Sequence, residues 1–244
     1  NGLGSLHMEL GEDAAGEDVM QQARSLAGSN DSLAAKCLNT LAQRCIRRGD
    51  EEQSLILLNE AKERSQRAED PLLLGRIVNN IGIVHMDAGR YDEALKHYRD
   101  ALQIREGIGY RIGAVINLHN IGDVHFKLGD SARAWASFKK SMDLAASSGF
   151  DQGVVLNEAY IAYLEGQQGD EKAGERLVAL ADKADRLAQN ETRVSSRWLL
   201  GRHKMDRGDE SGARLAWEEG IALANELNAP QLAKDLEASL SSLS

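Results

Sequence analysis

Residues 78–106, VNNIGIVHMDAGRYDEALKHYRDALQIRE, contain one copy of a pattern that recurs along the chain. Within it the pair Gly89-Arg90 separates two segments of helical composition. The same turn signal is found at Gly49-Asp50, Gly89-Arg90, Gly129-Asp130, Gly169-Asp170 and Gly208-Asp209, at intervals of 40, 40, 40 and 39 residues. A fixed period of this length is typical of helical repeats. One glycine turn per period predicts two antiparallel helices per repeat.

Small residues recur at three further positions of the period. They are Ala42, Gly82, Gly122, Ala162 and Gly201, then Ser54, Ala94, Ala134, Gly174 and Ala213, then Ala61, Ala101, Ser141, Ala181 and Gly220. Large residues lie beside them: Leu41, Ile81, Ile121, Ile161 and Leu200 on the first helix, and Leu58, Tyr98, Phe138, Val178 and Trp217 on the second. Small residues at one phase let helices approach closely, and large ones fill the grooves between them. The pattern therefore predicts an all-α protein.

The pattern resembles the tetratricopeptide repeat, which places a small residue at its eighth position, glycine before its second helix, and small, aromatic and small residues along that helix. Gly82, Gly89, Ala94, Tyr98 and Ala101 occupy these positions. The longer period is similar to that of kinesin light chains and spindle-orientation adaptors. The resemblance implies a right-handed superhelical solenoid of antiparallel helix pairs that binds a protein or peptide partner on its concave surface.

Repeat phase also predicts the organisation of the chain. Residues 1–8 have the composition of an expression-tag remnant, and 9–31 are expected to hold a helix of a half repeat, over 13–27, and a linker. Five repeats are expected over 32–229, and a capping helix over 230–244. The repeat limits are 32–70, 71–110, 111–150, 151–190 and 191–229. Pro71 and Pro230 are each expected to start a first helix.

Composition excludes several classes of function. A formal charge of -9 and a pI near 5.2 argue against nucleic-acid binding, which depends on clustered Lys and Arg. No run of about 18 apolar residues is present, so no membrane span is expected. Cys37 and Cys45 are expected to be buried free thiols in a reducing compartment, which favours a cytoplasmic location.

No residue pattern indicates catalysis or a cofactor. Histidine, cysteine and carboxylate residues lack metal-ligand spacing, so we expect no metal site. Ser137 and Lys140 satisfy S-x-x-K, but they flank the packing residue Phe138. His85 and His125 occupy the position where the repeat commonly has tyrosine, which favours packed structural histidines. We therefore expect a protein that is not an enzyme and needs no cofactor.

Asparagine recurs on the first helices, whose inner faces line the concave surface of tetratricopeptide arrays. The set comprises Asn39, Asn79, Asn80, Asn117, Asn120 and Asn157. An asparagine within a helix lowers helix propensity, but its amide can both donate to and accept from a peptide backbone. We favour ligand contact for Asn79, Asn80 and Asn120, with solvent-facing amides in the free protein. For Asn117 and Asn157, bonds to neighbouring helices are an equal alternative.

Other residues on the same predicted face complete the candidate binding site. They are Gln43, Arg76, Ile83, Met86, His119, Asp123, Phe126, Lys127, Tyr160, Tyr163, Trp198 and Arg202. Exposed aromatics with arginine nearby are typical of binding hot spots. Phe126 and Tyr160 have the alternative of turning into the helix stack. Chaperone-binding relatives hold two carboxylates with Lys or Arg at slots occupied here by Asn39, Ile116 and Asn120, so the resemblance does not extend to that clamp.

Two functions follow from this interpretation. In the first, a peptide or one helix of a partner protein lies along the concave groove of a non-catalytic scaffold or adaptor. In the second, the chain is the ligand- or peptide-sensing domain of a larger signalling or transcription regulator. An attached effector domain in the native reading frame would distinguish the second function from the first.

Overall fold

The computed structural model describes residues 25, 28, 30–187, 190–227 and 230–243. Within them it contains eleven α-helices and no strand. The helices are α1 (Asp31–Arg48), α2 (Glu51–Arg67), α3 (Pro71–Asp87), α4 (Tyr91–Gly107), α5 (Arg111–Lys127), α6 (Ser131–Ala146), α7 (Asp151–Gln167), α8 (Ala173–Arg186), α9 (Asn190–Asp206), α10 (Glu210–Glu226) and α11 (Pro230–Ser241). The all-α fold of paired helices that the sequence predicts is confirmed.

Left-handed turns separate the helices. The five glycines of the repeated turn, Gly49, Gly89, Gly129, Gly169 and Gly208, have φ angles of 73°, 72°, 75°, 102° and 79°. A second series lies about halfway between them, at Gly28, Glu69, Gly109 and Gly149, with φ of 50°, 51°, 69° and 66°. Glycine adopts this conformation without a steric penalty, whereas a residue with a Cβ does not. Where both turns of a period lie within the described residues, the period therefore contains two tight turns, and Glu69 is the exception to glycine in the second series.

The chain divides into two compact units, Asn1–Val124 and His125–Ser244, and the boundary falls within α5. In the first unit, Leu38 on α1, Leu58 on α2 and Ile77 on α3 are fully buried and pack in one core. Tyr98 lies directly over Gly82, where a Cβ would come within 2.6 Å of its ring. Glycine at the eighth position thus makes room for the aromatic residue of the second helix.

The second unit repeats this arrangement. Phe138, Tyr163, Leu199 and Leu236 are fully buried in a single core. A Cβ at Gly201 would lie 2.5 Å from Cδ1 of Trp217, so the glycine again accommodates the ring of the second helix. Cys37 in the first unit is buried and Cys45 is half-buried, and neither is in a disulfide.

The fourth repeat departs from the predicted register. Val178 was expected to fill the core, but it is 45% exposed and its neighbour Leu177 is fully buried instead. At equivalent turns Asp130 and Asp209 accept hydrogen bonds from the backbone N–H three residues later, whereas Asp170 accepts from Lys172, two residues later. α8 also starts at Ala173, four residues after its turn glycine, whereas α6 and α10 start two residues after theirs, and its N-cap residue Lys172 makes no side-chain capping bond. The buried face of α8 is displaced by one residue, so the expectation for Val178 is wrong.

Of the two predicted ends of the array, the described residues include the C-terminal helix but almost none of the N-terminal one. Apart from Ser25, the expected N-terminal helix over 13–27 lies outside the described residues. At the other end α11 packs against α9 and α10, and a Cβ on Gly220 would lie 2.7 Å from Leu236. Among the described residues, no helix has the length and apolar character needed to cross a membrane. The domain limits given above stay a prediction.

Candidate functional site

The second unit brings several of the predicted contact residues together on its first helices. Trp198, Arg202 and Asp206 follow one another at four-residue spacing on α9 and therefore share a face. Tyr160 and Tyr163 on α7 and Phe126 at the end of α5 meet this face. We call Phe126, Tyr160, Tyr163, Trp198 and Arg202 the Arg202 cluster.

The guanidinium group of Arg202 lies among three aromatic rings. Its Cζ atom is 4.9 Å from the ring centroid of Tyr163, 5.0 Å from that of Trp198 and 5.1 Å from that of Phe126. A cation within about 6 Å of a ring face is attracted by the ring quadrupole. The Phe126 ring also meets the rings of Tyr160 and Tyr163 edge-on, at centroid distances of 5.4 and 5.8 Å. These contacts fix the position of the cation.

Hydrogen bonds hold the rings of the Arg202 cluster in place. The Tyr163 hydroxyl donates to Oδ2 of Asp206 over 3.0 Å and accepts from Nε2 of Gln167 over 2.9 Å. Burial, the larger cause, and the nearby Asp206 raise the pKa of Tyr163 to about 12. The phenol is therefore a neutral donor at physiological pH. Nε1 of Trp198 donates to Oγ of Ser239 on α11 over 3.2 Å.

The second cation at this site is paired. Nζ of Lys127 lies 2.8 Å from Oδ2 of Asp235 and 5.4 Å from the Trp198 ring centroid. Within the described residues Arg202 itself forms no ion pair. Asp206 is already bonded to Tyr163 and Asp235 to Lys127, so the two carboxylates of this face are both engaged.

Most aromatic rings of this site are less exposed than the sequence suggested. Tyr163, Tyr160 and Trp198 are only 0%, 6% and 8% exposed, whereas Phe126 and Arg202 are half-buried. The expectation of large exposed aromatics is therefore wrong for the first three, because rings from adjacent first helices pack on one another. Tyr160 follows the alternative of turning into the stack.

The asparagines of the first unit form a buried network around Arg105. An Arg105 guanidinium nitrogen donates to the Gly113 carbonyl and to Oδ1 of Asn117, both over 2.7 Å. Nδ2 of Asn117 and Nδ2 of Asn120 in turn donate to Oδ1 of Asn79, over 2.9 and 3.0 Å. Burial lowers the pKa of Arg105 to about 10, which still leaves it charged at neutral pH. The network gives the buried cation two hydrogen bonds at Nη1 without a carboxylate, whereas its buried Nε has no partner among the described residues.

Asn80 donates to Asn39 over 2.9 Å, and Asn157 donates to the Gly153 carbonyl over 2.6 Å. The predicted solvent-facing amides are therefore wrong for Asn79 and Asn80, which are 5% and 7% exposed. Asn39, Asn117 and Asn157 are likewise buried. An amide within a helix is favourable here because it pairs with a partner on a neighbouring helix or with its own backbone, out of water. Of the six asparagines, Asn120 is the one that is half-buried.

The remaining predicted residues of the first unit lie nearer to solvent. Arg76 is exposed, and the half-buried ones are Gln43, Ile83, Met86, His119 and Asp123. Ile83 and Met86 pack against the core that contains Tyr98. His85, by contrast, is a packed structural residue, since its ring stacks on His97 at 5.2 Å with an interplanar angle of 5°. In the described residues no group of three or more metal-ligating side chains is found.

Sequence reasoning missed Arg105, Gln167, Asp206 and the two α11 residues Asp235 and Ser239. Repeat phase contained a signal for Arg105, because Ser65 and Ala145 occupy the same position 40 residues before and after it. A large cation at a position otherwise held by small residues indicates a buried site with its own partners. The α11 residues have no equivalent signal, because the repeat that would contain them is incomplete.

Comparisons with known proteins agree with this fold. A family model for the tetratricopeptide repeat matches residues 73–147. No curated protein matches the chain in sequence. Aspartyl phosphate phosphatase F from Bacillus subtilis has a similar structure, with a TM-score of 0.78 and 14% identity over 91% of this chain and 57% of that one. The chain thus spans little more than half the length of that protein.

Two further solved structures are similar. One is the Rap conjugation gene regulator of the plasmid pLS20 in complex with the Phr* peptide, with a TM-score of 0.67 and 16% identity over 98% of this chain and 72% of that one. The other consists of nearly identical TPR-like repeats of a putative kinesin light chain from Podosopora anserina, with a TM-score of 0.55 and 15% identity over 79% of this chain and 95% of that one. At these identities the likeness concerns the fold alone. Residues 73–147 thus match the tetratricopeptide-repeat family, and the paired helices of the described residues have the fold of a tetratricopeptide-repeat solenoid.

Proposed function

We propose that the chain is a non-catalytic interaction module that binds a peptide segment or one helix of a partner protein at the Arg202 cluster. The observation that carries this proposal is the convergence of three aromatic rings on one guanidinium group from three successive first helices. Aromatic and arginine side chains supply most of the binding energy in protein interfaces. Phe126 and Arg202 remain half-buried and are available for contact.

The cluster is also rigid, which favours binding. Tyr163 is bonded on both sides by Asp206 and Gln167, and Trp198 is bonded to Ser239. A side chain that is already ordered in the free protein loses little conformational entropy when a partner contacts it. The half-buried edges of Phe126 and Arg202 therefore form a preorganised anchor point.

The charge balance favours a protein partner over nucleic acid. The chain has a formal charge of -9, and phosphate backbones are bound by surplus Lys and Arg. The two cysteines are not in a disulfide, which favours the reducing cytoplasm. A non-catalytic role is our inference from the interaction surface, on which rings surround a cation without a nucleophile and base in reach of each other.

The second candidate function is sensing, in which this chain is the ligand- or peptide-binding part of a larger regulator. Two comparisons favour it: one similar structure is a gene regulator in complex with a peptide, and another extends well beyond the matched region. Fold similarity alone does not transfer function. Reading the native gene beyond the 244 residues would decide between them, because an attached effector domain supports sensing and its absence supports a scaffold.

Peptide arrays test the proposed binding. The chain would be screened against random nonapeptides, and the affinity of the strongest binders measured by fluorescence polarisation. We expect Phe126→Ala to weaken binding about 10-fold or more, as for a hot-spot aromatic. Trp135→Ala is the matched control, because Trp135 is also a half-buried aromatic but lies on the second helix α6, where it bonds Glu165.

The two variants separate site-specific loss from general damage. Equal losses in both would indicate a folding defect, which thermal unfolding of each variant would reveal. Binding that survives Phe126→Ala unchanged would show that the peptide contacts another surface, and binding of no peptide at all would refute the proposed function.

A further inference from the structure

We infer that Arg202 binds the carboxylate of a single Asp or Glu side chain in the partner peptide. This inference rests on the proposed function and specifies which chemical group the Arg202 cluster recognises.

Among the described residues of this unit, six Arg and Lys side chains are half-buried, and all except Arg202 form an ion pair. The paired ones are Lys139, Arg176, Arg193, Arg197 and Lys204. Removing a charge from water is costly unless an opposite charge compensates it. Arg202 has aromatic faces in place of a carboxylate, so it is the half-buried cation with an unmet preference for an anion.

The geometry leaves the donor edge of Arg202 free. Three rings cover the guanidinium group at about 5 Å, and its charge acts on the nearby Tyr163 hydroxyl. A guanidinium group has five N–H donors, and no nitrogen of Arg202 is both buried and without a partner. Any Arg202 nitrogen without a partner therefore reaches solvent. A stacked guanidinium with an open planar edge is suited to bidentate contact with a carboxylate.

Two features favour one acidic side chain over an acidic tail or a chain end. Asp206 and Asp235 lie at the same face, and they would repel a run of acidic residues. A chain-terminal carboxylate is typically captured by free backbone N–H groups, which a helix offers only in its first turn. Arg202 lies in the C-terminal half of α9, far from the first turn at Asn190. The occupant we propose is therefore an internal Asp or Glu of an extended peptide.

The test is a double-mutant cycle on capped peptides. Random nonapeptides, N-acetylated and C-amidated, are arrayed and screened beside the same sequences with a free C-terminal carboxylate. The tightest capped binder that contains Asp or Glu is resynthesised with Asn or Gln at that position. We expect Arg202→Gln to weaken binding of the acidic peptide about 10-fold or more, as for a hydrogen bond between charged groups. The amide peptide should bind the native protein and the variant equally.

Two further variants guard against damage to the fold. Arg193→Gln removes the same charge from the same helix, and its partner Asp185 keeps Arg197, so its affinity should stay within about twofold of the native value. Arg202→Lys retains the charge without the planar fork, and we expect an intermediate loss. Thermal unfolding of every variant shows whether each is folded at the assay temperature.

The outcomes separate this inference from the function on which it rests. If peptides bind in a Phe126-dependent manner but the acidic and amide peptides lose the same affinity for the Arg202→Gln variant, the inference is wrong and the proposed function stands. If only peptides with a free C-terminal carboxylate bind, the inference is also wrong. If no peptide of either kind binds, the proposed function itself fails, and the inference fails with it.

Discussion

The side-chain amide of Asn80 on α3 donates a 2.9 Å hydrogen bond to the side-chain oxygen of Asn39 on α1. The two residues are 41 positions apart and are 7% and 2% exposed. An amide that is buried and paired in this way links neighbouring first helices. Asparagine recurs in the repeat as part of the packing between helices, which gives the periodicity a structural cause.

We predict that Asn80→Ala destabilises the protein by about 1–3 kcal/mol, because it leaves the Asn39 oxygen buried without a donor. Urea denaturation measures the change. Asn39→Ala and the double variant complete a cycle, and the coupling between the two positions should be about 0.5–1.5 kcal/mol. Additive effects of the two substitutions would contradict a direct bond between them.

We predict that Gly82→Ala destabilises the protein by about 1–3 kcal/mol through overpacking, because the new Cβ would lie 2.6 Å from the Tyr98 ring. Gly107→Ala is the matched control. Gly107 has no atom within 4 Å of an added Cβ and no positive φ, so alanine there should be neutral or stabilising by up to about 1 kcal/mol. Equal effects of the two substitutions in thermal unfolding would refute close packing at Gly82.

The fold could be predicted from sequence because the repeat imposes the same steric demand several times. Glycine at the turn and a small residue opposite an aromatic one recur at a fixed interval, as at Gly82 with Tyr98 and Gly201 with Trp217. Periodicity does not reveal local capping, however. The one-residue shift at Leu177 accompanies the later start of α8 at Ala173, and the sequence does not signal that start, because every turn has a polar residue directly after its glycine.

The candidate site was harder to predict. The position of a residue within the repeat identifies the helix face on which it lies, but it does not show whether that face is exposed to solvent. Phe126, Lys127, Tyr163, Trp198 and Arg202 were expected on one face, and the structure brings them together. Whether such residues point into solvent or pack on each other depends on the spacing between adjacent first helices. That spacing is a tertiary property, which repeat phase does not specify.

We predict that Glu69→Gly stabilises the protein by up to about 1 kcal/mol. Glu69 has a φ of 51°, a conformation that costs a residue with a Cβ about 1–2 kcal/mol, partly offset by the greater freedom of glycine in the unfolded chain. Gly109→Ala, at the equivalent turn with φ of 69°, should lower the free energy of unfolding by about 1 kcal/mol, although the added Cβ would meet no atom. Urea midpoints that shift in the same direction for both variants would contradict this.

We predict that stability decreases as the pH falls below about 6.5. Burial, with Arg90 as the next cause, lowers the pKa of His85, and burial, with His85 and Lys62, lowers the pKa of His97. The unfolded chain then binds protons near pH 6.5 that the folded state accepts only at lower pH, so protonation favours unfolding. Urea denaturation at pH 7.5 and 5.5 measures the decrease.

Substituting His97 by phenylalanine identifies the stack as one source of this pH dependence. His97→Phe retains a ring against His85 and removes a titrating group, so the loss of stability between pH 7.5 and 5.5 should be smaller than in the native protein. Carboxylates with lowered pKa values, such as Asp185, lose their contribution below about pH 4 and do not affect this interval. An unchanged pH dependence in the variant would contradict a role for the stack.

We predict that Leu177→Ala destabilises the protein by about 2–5 kcal/mol, whereas Val178→Ser changes stability by less than about 0.5 kcal/mol. Leu177 is fully buried, and truncating it leaves a cavity among packed side chains. Val178 is 45% exposed, so a polar side chain there remains hydrated. Urea denaturation of the two variants compares neighbouring positions of one helix under the same conditions.

The comparison also tests the cause of the register shift. If the turn at Asp170 sets the phase of α8, Asp170→Ala, which removes the bonds from the Lys172 N–H and from Arg176, should cost about 1 kcal/mol. Asp130→Ala, which removes a three-residue cap from α6, should cost a similar amount and serves as the control. If Val178→Ser were instead as damaging as a core substitution, and Leu177→Ala harmless, the fourth repeat would follow the register of the others and the shifted packing of α8 would be wrong.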